Sequence, residues 1–209
     1  MKENFSYFTF SIFIGCKFEN FVKMLEESYQ TAVKHGKVQI SSAELNIENY
    51  FNPKYGENME DFVLWENCLY EDMIFFASKQ VDGLYSLCHV LREKFQCAML
   101  QCSLSNHTSE YNPMYRFHFT NMNGEERIVM AYKEDKWVFF QSGIPLGIEN
   151  IELYKNRMIR NRINNSIIKE YLLKLNINIL DIDKNVNRCI SLKRIQWGDK
   201  PSFFQDDTE

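Results

Sequence analysis

The chain has 209 residues, of which 45% are hydrophobic and 15% aromatic, and it carries a formal net charge of −4. That apolar content supplies a core for one large domain and excludes intrinsic disorder over most of the length. A pI near 5.7 argues against a chain built to neutralise nucleic-acid phosphates.

Phe5 to Ile14 alternates Phe, Ser, Tyr and Thr, which is strand chemistry and not the apolar core of a signal peptide. No run approaches the roughly 18 apolar residues needed to span a bilayer. The expectation is a soluble, cytosolic protein without membrane contact. Phe18 to Val33 reads as an amphipathic helix, with Phe18, Phe21, Val22, Leu25, Tyr29 and Ala32 on one face and His35-Gly36 as its stop. Val38 to Ile47 reads as a strand. Asn49 to Met59, with Asn52-Pro53 and Tyr55-Gly56, reads as a loop.

Asp61 to Ser78 is too densely apolar for period alone to separate helix from strand. Strands near Phe62–Leu69 and Met73–Ala77 are the preferred reading. Asp82 is placed as the N-cap of a helix over Gly83–Phe95, with Leu84, Leu87, Cys88, Leu91 and Phe95 as its buried stripe. Cys97–Leu104 alternates as a strand and Ser105–Pro113 is a loop.

Three adjacent strands follow: Tyr115–Thr120, Arg127–Tyr132 and Lys136–Phe140. Asn123-Gly124 between the first two predicts a type I′ hairpin. Ser142 to Gly147 closes the meander with breakers. A basic helical region is expected over Glu149–Leu175, with Asn164 or Asn165 capping a helix whose face carries Ile167, Ile168, Tyr171, Leu172 and Leu175. From Leu180 onward the periodicity is low, and Gln205–Glu209 is expected to fray.

The order of elements predicts an α+β fold. Its mostly antiparallel sheet ends in a C-terminal meander (about 97–141) packed against helices, followed by a helical C-terminal region. Residues 1–180 are expected to form one domain and 181–209 an extension.

No reaction motif appears. The six cysteines form no CxxC pair, and the four histidines lack the i, i+4 spacing of a helical zinc site. Cys102 with His107 or His118 is a conceivable thiol–imidazole pair, but Cys102 sits in an apolar strand where burial raises a thiol's pKa. No glycine cluster forms a phosphate loop. No catalytic residue, metal or cofactor is assigned.

Charge is more informative. Residues 1–130 carry 17 acids and 11 bases, and residues 131–209 carry 11 acids and 13 bases. The two halves face different partners or each other. Between Glu44 and Asp72 there are eight acids and one base, Lys54, interleaved with Tyr50, Phe51, Tyr55, Trp65 and Tyr70. A solvated acidic face is the plain reading. A docking surface for a basic partner is the functional one, with Glu60, Asp61, Trp65, Glu66, Tyr70, Glu71 and Asp72 as its candidate residues. The bases Lys155, Arg157, Arg160, Arg162, Lys169 and Lys174 are read as pairing with the acidic half.

The run Lys136-Trp137-Val138-Phe139-Phe140-Gln141-Ser142-Gly143-Ile144-Pro145-Leu146 is followed by Tyr154, Arg157, Ile159 and Arg162, then Ile168-Lys169-Glu170-Tyr171-Leu172. This pattern, about 40 residues in all, resembles small bacterial immunity proteins encoded beside polymorphic or contact-delivered toxins. The resemblance implies a cytosolic antitoxin that blocks one cognate toxin by protein–protein docking, and it carries over no catalytic residue. Other readings stay open: another inhibitor, such as a phage-encoded one that blocks host defence, or an enzyme without a recognisable motif.

Overall fold

The computed structural model describes residues 5–53, 59–106 and 112–204. The loop centres expected around 54–58 and 107–111, the frayed end at 205–209 and His107 lie outside the described residues. In chain order the elements are β1 (Tyr7–Ile14), α1 (Phe18–Lys34), β2 (Val38–Ser42), β3 (Asp61–Asn67), β4 (Met73–Ser78) and α2 (Tyr85–Phe95). Then come β5 (Ala98–Ser105), β6 (Met114–Thr120), β7 (Glu126–Lys133), β8 (Trp137–Ser142), α3 (Asn165–Lys174) and β9 (Val186–Arg194). One nine-stranded sheet runs β2-β9-β3-β4-β1-β5-β6-β7-β8, and every neighbouring pair is antiparallel. The α+β class and the antiparallel sheet are as expected.

The central strands are buried on both faces, which is why their sequences are so densely apolar. Alternation sends Phe8, Phe10 and Ile12 of β1, Trp65 of β3 and Phe75 of β4 to one face, where α3 supplies Ile168, Tyr171 and Leu172. Phe13, Phe62, Leu64 and Phe76 point to the other, where α1 brings Phe21, Leu25 and Tyr29 and α2 brings Leu87 and Leu91. The two helices on this side meet through Phe21 and Phe95, whose rings stack at 4.4 Å and 15°. Residues 61–78 form the strand pair β3–β4, so the ambiguity there resolves toward sheet. Among the described residues no helix is long and apolar enough to cross a membrane.

Several boundaries differ from expectation for local chemical reasons. The strand expected over Val38–Ile47 stops at Ser42, and Ile47–Tyr50 forms a 3-10 turn capped by Asn46. Asp82 is not the N-cap of α2. Its carboxylate accepts from the Leu84 amide at 3.0 Å, and Leu84, at φ +54°, occupies the cap. The β6–β7 connection is not a two-residue type I′ turn. Asn121 accepts from the Asn123 and Glu125 amides, both at 2.9 Å, and at the Asn-Gly pair only Gly124 has positive φ.

The helical C-terminal region is only partly formed. Ile151–Lys155 and Ile159–Asn161 are 3-10 turns, separated where Asn156 accepts from the Met158 amide at 3.1 Å and diverts the chain. Asn164 then caps α3 by accepting from the Ile167 amide at 3.2 Å. The larger correction concerns the expected extension from residue 181 onward: within it β9 (Val186–Arg194) is an interior strand lying between β2 and β3.

The meander closes at Gly143, which has φ +83° and whose added Cβ would sit 1.9 Å from the Glu126 carbonyl oxygen. Gly143→Ala is therefore expected to cost about 2 kcal/mol or more of stability, read as a lower urea midpoint at unchanged slope.

Candidate functional site

The seven candidate docking residues do not form one surface. Trp65 is wholly buried, stacks on Phe75 at 5.5 Å and donates its indole N–H to the Ile182 carbonyl at 2.6 Å. Tyr70 is also buried, against Phe75, and its hydroxyl donates to the Asn178 carbonyl at 3.2 Å while accepting from the Asn178 amide at 3.0 Å. Neither ring is available as an interface anchor.

Three of the acids are engaged within the chain. Glu60 accepts from Arg194 Nε at 2.5 Å, and Asp61 pairs with Lys79 at 2.8 Å. Glu66 takes Arg188 on two nitrogens, at 2.6 and 2.8 Å, and Asn187 as well. The cause is β9: register places Glu66 opposite Arg188, so cations late in the chain meet acids of β3. The two charge halves do face each other, through Arg188 with Glu66 and Arg194 with Glu60.

What remains is compact. Glu66, Tyr70, Glu71 and Asp72 line one cleft of about 370 Å³ with Lys17 and Glu19 at the start of α1. Asn67 builds its wall. Its side-chain amide donates to the carbonyls of Asp181 at 2.9 Å and Ile182 at 3.3 Å, and to that of Lys184, while its oxygen accepts from the Leu69 amide at 2.8 Å. This fixes the turn between β3 and β4.

Glu19 and Glu66 share Arg188, which lies 2.7 Å from the Glu19 carboxylate. The Glu19 carboxyl is held below the usual carboxylate range by its own backbone amide and then by Arg188. Glu71 and Asp72 are exposed at the turn and make no ion pair among the described residues. Leu69 beside them is 56% exposed. The cleft is thus net acidic, with one apolar tip at its edge. Sequence reasoning found four of its residues but missed Glu19 in its lining, and also Leu69 next to Tyr70 and Arg188, the partner of Glu19 and Glu66. Glu19 lies on a helix far upstream, and nothing in the β9 sequence marked Arg188 as its partner.

The conceivable thiol–imidazole pair is not assembled. Cys102 is opposite Phe117 and faces the α3 side, whereas His118 is opposite Gln101 and faces the α2 side. Burial holds the Cys102 thiol protonated and pushes Cys88 up to about 12. Cys16 and Cys97 hydrogen-bond to each other, which raises the Cys16 pKa and lowers that of Cys97. Among the described residues no three His, Cys, Asp or Glu side chains cluster as a metal site. Comparison with protein-family models, curated proteins and solved structures finds no match.

Proposed function

We propose that this chain is a cytosolic binding protein that neutralises a basic partner by docking it on the acidic cleft at the β3–β4 turn, in the manner of an immunity protein. The observation that carries the reading is the exposed, unpaired pair Glu71–Asp72 beside Leu69, on the rim of a cleft that Glu19 and Glu66 also line. A basic toxin domain meets such a surface by electrostatic steering, and the apolar tip gives it a contact to desolvate. The role of anchor passes from Trp65 and Tyr70 to Leu69. Six free cysteines, five of them buried, suit a reducing compartment.

The test begins with capture of partners by the tagged protein at low and high salt, then measures association with the captured protein. Glu71→Lys with Asp72→Asn is expected to slow association about tenfold or more at low salt and to flatten its salt dependence. Asparagine is chosen because Asp72 has φ +54°, a conformation asparagine tolerates well. The melting temperature should not move, since exposed charges contribute little. Unchanged association, or absence of any basic partner, would overturn the reading.

A further inference from the structure

Two thiols meet where the chain enters α1. Cys16 follows Gly15 at the end of β1, and Cys97 follows Gln96, which has φ +48°, at the start of β5. β1 and β5 pair as far as Ile14 opposite Ala98, so both cysteines leave the same end of that ladder. Opposed residues of an antiparallel pair lie about 5 Å apart at Cα, inside the span that a disulfide bridges. The two side chains belong to one apolar cluster and hydrogen-bond to each other. Cys97 Sγ also lies 3.9 Å from the Arg92 carbonyl, which holds its side chain in place. The other buried thiols are placed differently. Cys88 bonds to the Gly83 carbonyl at 3.6 Å, and Cys102 is enclosed on the opposite face of the sheet.

Cys16 is the member with access. It is 7% exposed, whereas Cys97 is 0%. It also lines the cleft of about 370 Å³ at the β3–β4 turn, together with Lys17 and the exposed Cys68. A water-sized molecule in that cleft meets Cys16 before Cys97. The thiol–thiol hydrogen bond favours a single thiolate within the pair, because the remaining S–H donates to it, and the Arg92 charge acts in the same direction. Burial and the Asp72 carboxylate act against it.

We propose that Cys16 and Cys97 form a redox-responsive dithiol that a peroxide converts to a disulfide, joining the β1–α1 connection to the α2–β5 connection. The Cys16 thiolate attacks one peroxide oxygen. An S–O bond forms, the O–O bond breaks, and the leaving hydroxide takes up the proton that Cys16 gave up. The Cys97 sulfur then displaces the hydroxyl from Cys16. An S–S bond forms, the S–O bond breaks, and the hydroxyl leaves with the Cys97 proton as a second water. The two thiols lose two electrons in all, and one peroxide is reduced to two waters. In a reducing compartment such a disulfide is transient, which suits a sensor and not a permanent staple. The chemistry requires no docked partner in the cleft.

The full chain is treated with a few equivalents of hydrogen peroxide. Remaining thiols are capped with N-ethylmaleimide under denaturing conditions, and unreduced peptides are mapped by mass spectrometry. A Cys16–Cys97 cross-link is expected, lighter than the two thiols by two hydrogens and removed by dithiothreitol. Cys68→Ser, which deletes the exposed thiol of the same cleft, should form the cross-link as fully as wild type. Cys97→Ser should leave Cys16 without a resolving partner, so that peroxide carries it on to the sulfinic acid with a gain of two oxygens. Mapping of the wild-type chain decides the matter even where Cys97→Ser does not fold. No Cys16–Cys97 cross-link in wild type, a Cys16–Cys68 cross-link in its place, or a Cys16 left unoxidised in folded Cys97→Ser protein would each overturn the proposal.

Discussion

Replacing Glu149 with glutamine is expected to lower the unfolding free energy by about 3–5 kcal/mol, the cost of leaving one member of a buried ion pair uncompensated. Glu149 is 0% exposed and Arg127 3%, with Arg127 Nη2 2.7 Å from Glu149 Oε2. The pair is saturated by other groups. Arg127 Nη1 donates to the Ser142 and Gly143 carbonyls, each at 3.1 Å, and Nη2 donates to Gln141 Oε1 at 3.0 Å. Glu149 accepts from the Leu146 amide and from the Tyr154 hydroxyl, each at 2.7 Å, and Tyr154 lies 3.0 Å from the Tyr171 hydroxyl. One carboxylate therefore ties β7, the end of β8 and the 144–154 segment to α3. Glutamine presents an N–H toward the guanidinium where an acceptor is required. The double variant Arg127→Met with Glu149→Leu is expected to lose less stability than either single change, since no buried charge is orphaned. Urea unfolding of the four proteins checks this. Simple additivity would show the two residues to be uncoupled.

The same pair sets an acid limit. Burial acts against the charged Glu149 carboxylate, but the hydrogen bonds from Arg127, Leu146 and Tyr154 outweigh it and hold its pKa below the usual range. A folded-state pKa below the unfolded one contributes stability above the unfolded value and loses it as pH falls through the folded value. Unfolding measured from pH 7 downward should show this stability intact until about pH 4.3, then declining. Glu149→Gln should lack that part of the decline.

The sheet was legible where strands alternate or carry dense apolar runs, and it was lost where interior strands carry charge. β9 reads Val-Asn-Arg-Cys-Ile-Ser-Leu-Lys-Arg, a poor pattern for a strand with neighbours on both sides. It is tolerated because Arg188 and Arg194 have carboxylates waiting on or beside β3, Glu66 and Glu60. No local window contains both halves of those pairs. The helical reading of 149–163 failed differently. Its basic residues suit a helix, but asparagine side chains at 156 and 164 offer the backbone competing bonds.

The candidate site shows the same asymmetry. The sequence shows an excess of acids between Glu44 and Asp72, but composition cannot say which carboxylates are already paired. Glu60, Asp61 and Glu66 meet cations 134, 18 and 122 residues away in sequence. Of the acids among the seven candidate docking residues, Glu71 and Asp72, at the turn where the chain reverses, are the two without an ion pair among the described residues. Aromatic residues between acids were equally ambiguous, because a strand buried on both faces needs rings such as Trp65 as much as an interface does.

Trp65→Ala consequently separates the two roles. As a core residue it is expected to cost about 3–5 kcal/mol of stability, with a drop in melting temperature, whether or not a partner is present. The loss has two parts. The ring leaves a cavity between Phe75 and the C-terminal segment, and the Ile182 carbonyl loses the indole donor at 2.6 Å. Trp65→Phe keeps most of the packing but not that donor. It should fall between wild type and alanine, with about 1 kcal/mol lost for the one hydrogen bond, since the Ile182 carbonyl keeps Asn67 Nδ2 at 3.3 Å. Both variants should also loosen residues 181–184, which Trp65 and Asn67 hold against β3, so amide exchange there should accelerate before the rest of the sheet opens. A Trp65→Ala protein with wild-type stability but weakened partner binding would instead restore Trp65 as a contact residue, and would require the β3 face to open in the complex.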